Sequence, residues 1–268
     1  MKTNYKLFCL ITILLAFFAM GCDDESNEPE PEPREPAPER VVDPETYFPP
    51  VGSDEWERTT PEAEGWDTTD LSEAIQYAYE KGSYNLMIIH KGKIVAEEYW
   101  RSMTDTSQHA LASISKSFMS FVIGVLQENG KLSIDDKVSD YLGEGWSASP
   151  ETEADITIRH LLTMSSGLSK DLTYVGRPGE TWRYSDAAYK ILYGVIEKAG
   201  GTSYQNVFDD VLFSKIGMKN YTWTGRDLKS SARDLAKFGL MIQNGGFWNG
   251  GYTYAYKSRG PLPLQVTV

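Results

Sequence analysis

From Ile114 to Leu126 the chain reads "ISKSFMSFVIGVL" and is apolar almost throughout after its first turn. A helix that is apolar on every side has to be buried. Asn129-Gly130 closes the segment with the residues of a left-handed cap. This buried helix constrains the rest of the chain, because other elements must cover it.

The neighbouring patterns supply those elements. Residues 69–82, "TDLSEAIQYAYEKG", open on a cap candidate at Thr69 or Asp70. They place Leu71, Ile75, Tyr77 and Ala78 on a helical period and stop at Gly82, which predicts an amphipathic helix. The β-rich runs Leu86–Ile89 and Ile94–Trp100 flank "HKGK" and predict a hairpin, with Gly92 supplying a positive φ at the turn.

Beyond Ser113 the patterns are mainly helical. Thr157 caps a short helix through Met164, ended by Gly167. Residues 185–201 carry Ala188, Ile191, Leu192, Val195, Ile196 and Ala199 on one face before Gly200. Short helices are expected over Tyr204–Phe213 and Ala232–Ile242, and the folded part is expected to begin near Trp56.

The ends of the chain differ from this middle. Residues 1–21 set Lys2 and Lys6 before an apolar run from Leu7 to Met20, the layout of a secretory signal and short for a membrane span. "FAMGC" resembles a bacterial lipoprotein signal, in which Cys22 becomes the lipidated first residue; otherwise Cys22 is incidental to a cleaved signal. Cys9 lies inside that signal, so the mature chain has no disulfide.

Residues 22–55 form an acidic, Pro/Glu-rich stretch. Eight of the thirteen prolines lie between Asp23 and Pro50, as expected of an extended tether that would hold residues 56–250 away from a membrane. The net charge is −12, or −14 once Lys2 and Lys6 are removed, which argues against nucleic acid as a partner.

The chemistry-bearing feature is Ser113-x-x-Lys116 at the head of the buried helix. Residues three apart share a helix face, so the lysine can reach the serine hydroxyl. To act as its base the lysine must be partly neutral, and the apolar run offers the desolvation that lowers an ammonium pKa. The helix start also directs N–H groups and positive dipole at the serine. The pattern is weak by itself, since about one match is expected by chance in a chain of this size. In the alternative reading Ser113 is an N-cap, Lys116 a solvated first-turn lysine, Tyr184 a packed aromatic and Asp186 a helix cap.

Several motifs occur together with it. "ASISKSF", "GVLQENGKLSIDDKVSDYL", "ITIRHLLTMSSGL", "PGETWRYSDAAYKILYGVIEKAGGTSY", "IGMKNYTW" and "SSARDLAKFGLMIQNGG" follow in that order. In this the chain resembles the serine β-lactamase-related superfamily from about Pro61 to Asn249: class C β-lactamases, D-alanyl-D-alanine carboxypeptidases, and esterases and amidases on the same scaffold.

The resemblance implies an α/β, β-lactamase/transpeptidase-like fold made of an N-terminal helix and β-hairpin plus a helical region. It makes Ser113 the acylated nucleophile, Lys116 its partner base and Tyr184 the proton-relaying tyrosine of Tyr-x-Asn. Asp186 stands where Asn is usual and is a candidate network residue. A carboxylate there would favour the charged lysine or make the two a shared-proton unit. Tyr204-Gln205-Asn206 is a literal Tyr-x-Asn, but Tyr184 has the expected setting in a Pro-Gly-Glu loop before a helix.

The family's third motif, Lys or His-Thr or Ser-Gly, lies on a late strand. Here Lys257–Gly260, "KSRG", is a poor copy within the atypical tail 251–268, so the C-terminal strands of the sheet are expected to be missing. The implied function is serine hydrolysis through an acyl-enzyme, acting on a small-molecule or cell-wall peptide substrate, with no cofactor and no metal. The alternative is a non-catalytic or truncated envelope lipoprotein anchored through a lipid. Gly-x-Ser-x-Gly and phosphate-binding loops are absent. His90, His109 and His160 lack metal-ligand spacing and read as structural.

Overall fold

A computed structural model describes residues 45–249 and 251–252. The expected signal, Cys22, most of the expected tether and Lys257–Gly260 therefore lie outside the described residues.

The chain enters this region earlier than Trp56. Tyr47 N–H donates to the Lys91 carbonyl (3.0 Å), and the Phe48 ring packs edge-on to Trp248 at 5.3 Å. The end of the expected tether is thus part of the fold, because Tyr47, Phe48 and Pro49 supply apolar surface that the preceding acidic repeat lacks.

Helix α1, Thr68–Glu80, is capped by Asp67, whose carboxylate accepts from Thr69 and Asp70 N–H. The cap therefore lies ahead of the two expected candidates, which carry the N–H groups that Asp67 satisfies. Leu71, Ile75 and Ala78 are half-buried, whereas Tyr77 is exposed. Two residues past Ile75 is about 200° around a helix axis, so Tyr77 leaves the apolar stripe.

Strands β1, Asn85–His90, and β2, Lys93–Tyr99, form the expected antiparallel hairpin. Lys91 (φ 46°) and Gly92 (φ 79°) make a two-residue turn with both central residues at positive φ, the form that matches strand twist. A side chain at Gly92 would overlap the Tyr47 carbonyl, so glycine is required there twice over.

Strand β3, Gln108–Ala110, leads into a 3₁₀ turn, Ala112–Ile114, and then the long helix α2, Ser115–Glu128. Phe118, Met119, Phe121, Val122, Ile123, Gly124, Val125 and Leu126 are all buried on α2, and Gly130 follows at φ 66°. The apolar run is therefore the centre of the core. Each fully buried large side chain in it stabilises the fold by about 1.5–3 kcal/mol.

Short helices α3 (Ser139–Leu142), α4 (Pro150–Glu153) and α5 (Ile158–Leu162) follow. Thr157 caps α5 with His160 as its reciprocal partner, and the helix stops two residues before Met164, which takes φ 58°. The single helix expected over 185–200 is two, α6 (Asp186–Lys190) and α7 (Leu192–Gly200), joined at Ile191. Gly201, not Gly200, takes the left-handed cap. Gly200 stays helical where a β-carbon would overlap the Val207 side chain.

Helix α8 (Tyr204–Phe208) continues through a π turn, Asp209–Phe213, into α9 (Ser214–Ile216). Strands β4 (Tyr221–Thr224) and β5 (Asp227–Ser231) then precede α10 (Ala232–Gln243), and β6 (Phe247–Trp248) pairs with β7 (Gly251–Tyr252).

A three-stranded antiparallel sheet of order β3-β5-β4 was absent from the helical pattern. On β5 the buried positions are Leu228, Ser230 and Ser231, only one of them apolar, so the strand shows no apolar period in sequence. This sheet hydrogen-bonds the segment before Ser113 to the segment before α10: Leu111 N–H donates to Leu228 O at 2.9 Å. Helix α10 covers α2 through a stacked Phe118–Phe238 pair, with centroids 3.8 Å apart.

Candidate active site

Ser113 lies in the 3₁₀ turn ahead of α2, not in its first α-turn. Residues three apart eclipse in a 3₁₀ helix, which brings Lys116 Nζ to 3.3 Å from Ser113 Oγ. Ala112, just before the serine, has φ 46°, a left-handed conformation that costs a non-glycine residue roughly 1–2 kcal/mol. Neither helix cap at this junction carries a side-chain hydrogen bond, so Ser113 is not an N-cap.

Tyr184 arrives on the loop between α5 and α6. Two backbone bonds hold that loop to the chain after α5: Gly179 N–H to Ser165 O at 2.7 Å and Arg183 N–H to Met164 O at 2.8 Å. Gly167, at φ 71°, sits under the loop where a β-carbon would overlap the Gly176 carbonyl. Ser185 then caps α6 by accepting from Ala188 N–H. Asp186 is the first residue of that helix and not its cap, which leaves its carboxylate free to face Lys116.

The four candidates meet. Tyr184 Oη lies 2.6 Å from Ser113 Oγ, and Lys116 Nζ donates to Tyr184 Oη at 2.8 Å. Lys116 pairs with Asp186 Oδ1 at 2.5 Å, and Tyr184 hydroxyl donates to the same carboxylate oxygen at 3.2 Å. Side-chain exposure is 14% for Lys116 and 57% for Asp186, so the carboxylate lies on the solvent side of the pair.

Two opposed effects were expected at Lys116, desolvation by the apolar run and the pull of a carboxylate at Asp186. Burial of Lys116 does pull its pKa down, but hydrogen bonds to Asp186 and Tyr184 outweigh it, and the ammonium is held above its usual value. The same bond from Lys116, against a smaller effect of burial, holds Asp186 below the usual carboxylate value. The lysine is therefore a cation at rest, and the acceptor groups of the cluster are Tyr184 Oη and the Asp186 carboxylate.

Tyr189 supports the cluster and was not singled out by its sequence. Its buried hydroxyl donates to Lys116 O at 3.1 Å and lies 2.8 Å from Ser120 Oγ, fixing α6 to α2 directly behind the lysine. Burial pushes its pKa up to about 12, so the phenol stays protonated and holds a structural bond. The sequence signal was present: Ser120 is one helical turn after Lys116, on the same face.

Tyr204 is elsewhere. It is buried, and its hydroxyl donates to Gly225 O at 2.5 Å. The histidines are also apart from the cluster. His90 pairs with Glu64 at 3.2 Å, His109 Nε2 contacts Met103 Sδ at 3.1 Å, and His160 accepts from Thr157 N–H. Among the described residues no group of three or more His, Cys, Asp or Glu is arranged to hold a metal.

A family model described as "Beta-lactamase" matches residues 71–252. Penicillin-binding protein 4* of Bacillus subtilis is 30% identical over 169 residues, covering 53% of this chain and 36% of that protein. The 6-aminohexanoate-dimer hydrolase of Paenarthrobacter ureafaciens is 20% identical over 232 residues, covering 68% of this chain and 57% of that protein.

Two solved structures share the fold. FmtA from Staphylococcus aureus has a TM-score of 0.57 at 18% identity, over 71% of this chain and 69% of that one. The octameric penicillin-binding protein homologue from Pyrococcus abyssi has a TM-score of 0.53 at 23% identity, over 66% of this chain and 56% of that one.

Proposed function

Since the chain belongs to the beta-lactamase family, we propose that it is a serine hydrolase in which Ser113 is acylated by an ester, amide or β-lactam carbonyl. The observation that carries this reading is the convergence of Ser113, Lys116 and Tyr184 from two separate elements into one hydrogen-bonded cluster.

In the proposed reaction Ser113 Oγ attacks the carbonyl carbon as its proton passes to Tyr184 Oη. Tyr184 passes its own phenolic proton on to the Asp186 carboxylate and so stays a neutral phenol, while the Lys116 ammonium, bonded to both groups, holds them in line. Collapse of the tetrahedral intermediate breaks the bond to the leaving group, which takes a proton back through Tyr184. Water then attacks the Ser113 ester, a proton returns to Ser113 Oγ, and the acid is released. No cofactor enters these steps.

Residues 1–21 as a secretory signal, Cys22 as a lipid-anchored residue and 22–55 as a largely extended tether complete the proposal. They make this an exported protein of the bacterial envelope with a small-molecule or cell-wall peptide substrate, and their support is the sequence pattern. The test of the catalytic reading is hydrolysis of p-nitrophenyl acetate by the purified chain and by Ser113→Ala. Turnover lost in the variant supports it, and equal turnover in both rules it out.

A further inference from the structure

The charges of the cluster bear on which acyl donors it accepts. Lys116 on α2 is compensated by Asp186 on α6 at 2.5 Å. A further charge acting on Asp186 is Lys190, one turn along α6, and it is itself paired with Asp227 on β5 at 3.0 Å. Arg183 is exposed but is not among the leading charges acting on either member of the pair.

The Lys116 and Asp186 charges beside Ser113 therefore cancel. With asparagine at position 186 they would sum to one positive charge beside the nucleophile. The order of the pair matters as well, because the carboxylate is far more exposed to solvent than the ammonium. Of the exposed side chains that adjoin the cluster in sequence, Ile114, next to Ser113, and Trp182, two residues before Tyr184, are apolar at 49% and 58% exposure, while Arg183 beside Tyr184 is a cation.

We propose that Asp186 makes this a site for uncharged acyl donors, esters or amides with no carboxylate near the scissile carbonyl, by cancelling the Lys116 charge that would otherwise draw anionic substrates. This rests on the hydrolase reading above and narrows its substrate class. One unit charge a few ångströms away in a half-solvated site changes the relative rate for an anionic substrate by roughly tenfold.

The experiment compares methyl 4-acetoxybenzoate with 4-acetoxybenzoate, which share an acyl group and differ by one negative charge. Each enzymatic kcat/KM is normalised to that ester's own uncatalysed hydrolysis. The unaltered chain is expected to show no preference for the anion, and Asp186→Asn to raise the anion's relative rate by about tenfold. In the unaltered chain the anion's rate is also expected not to fall steeply with salt, since the paired Lys116 offers no net attraction to screen; this reading stands even where the variant is too slow to assay. An unchanged ratio in Asp186→Asn, or a steep fall of the anion's rate with salt in the unaltered chain, overturns the proposal. Failure of fluorophosphonate to label Ser113 in both proteins overturns the hydrolase reading, and this selectivity with it. Labelling with an unchanged ratio overturns the selectivity alone.

Discussion

Ser113 Oγ and Tyr184 Oη are 2.6 Å apart although 71 residues separate them in the chain. Two independent anchors hold that distance, the β3–β5 pairing ahead of the serine and the Gly179 and Arg183 backbone bonds ahead of the tyrosine. Because the phenol oxygen contacts the serine, the lysine and the aspartate together, Tyr184→Phe removes the hydroxyl through which the serine proton passes in the proposed reaction. Hydrolysis of a p-nitrophenyl ester is expected to slow by about 10²–10⁴. Thermal stability should be unchanged, since Tyr184 is 46% exposed and its ring remains.

Tyr189→Phe acts differently, because it deletes a buried bond behind the lysine without touching the reacting atoms. Loss of the bonds to Lys116 O and Ser120 is expected to destabilise the chain by about 1 kcal/mol. By calorimetry that is a fall in Tm of about 2–4 °C, accompanied by a drop in turnover smaller than that of Tyr184→Phe.

Gly167→Ala tests the loop that delivers Tyr184. At φ 71° a β-carbon would both strain the backbone and overlap the Gly176 carbonyl. A loss of about 2 kcal/mol or more is expected, or roughly 4–8 °C in Tm. The loop can answer only by moving, so turnover should fall alongside stability.

Acid sensitivity is expected to come largely from Glu97 on β2. Its carboxylate is almost fully buried, at 5% exposure. It accepts from Arg233 at 2.6 and 3.0 Å, from Arg58 at 2.6 Å and from Tyr99 at 2.7 Å. Burial alone would raise its pKa, but these donors bring it from the ordinary 4.5 down to about 2. The unfolded carboxyl binds its proton below about 4.5 and the folded one only below about 2. The stabilisation is thus fully present above about 4.5 and lost as pH falls toward about 2. Glu97→Gln is expected to cost ~3 kcal/mol at neutral pH, because it strands Arg233, and to flatten the acid limb of a Tm-versus-pH curve.

Much of this arrangement was legible in the sequence where one physical requirement dominated. The apolar run Phe118–Leu126 had to be buried, the Lys91-Gly92 pair had to turn, and the ordered motifs placed Ser113, Lys116, Tyr184 and Asp186 together. The structure differs where long-range pairing outweighs local pattern. Strand β5 buries Ser230 and Ser231 beside a single aliphatic residue, Leu228, so no apolar period announced it. The break at Ile191 leaves the apolar face continuous and so left no mark in the sequence. The protonation of Lys116 depended on two opposed effects, burial and a carboxylate, whose balance follows only from the 2.5 Å separation.

The most direct measurement is peptide mass spectrometry of the chain after treatment with a fluorophosphonate probe. A single adduct on Ser113 is predicted, absent in Ser113→Ala and formed about 10²-fold or more slowly in Tyr184→Phe. No adduct on Ser113, or one that forms equally fast without the Tyr184 hydroxyl, would contradict the assignment of this cluster as the acylation site.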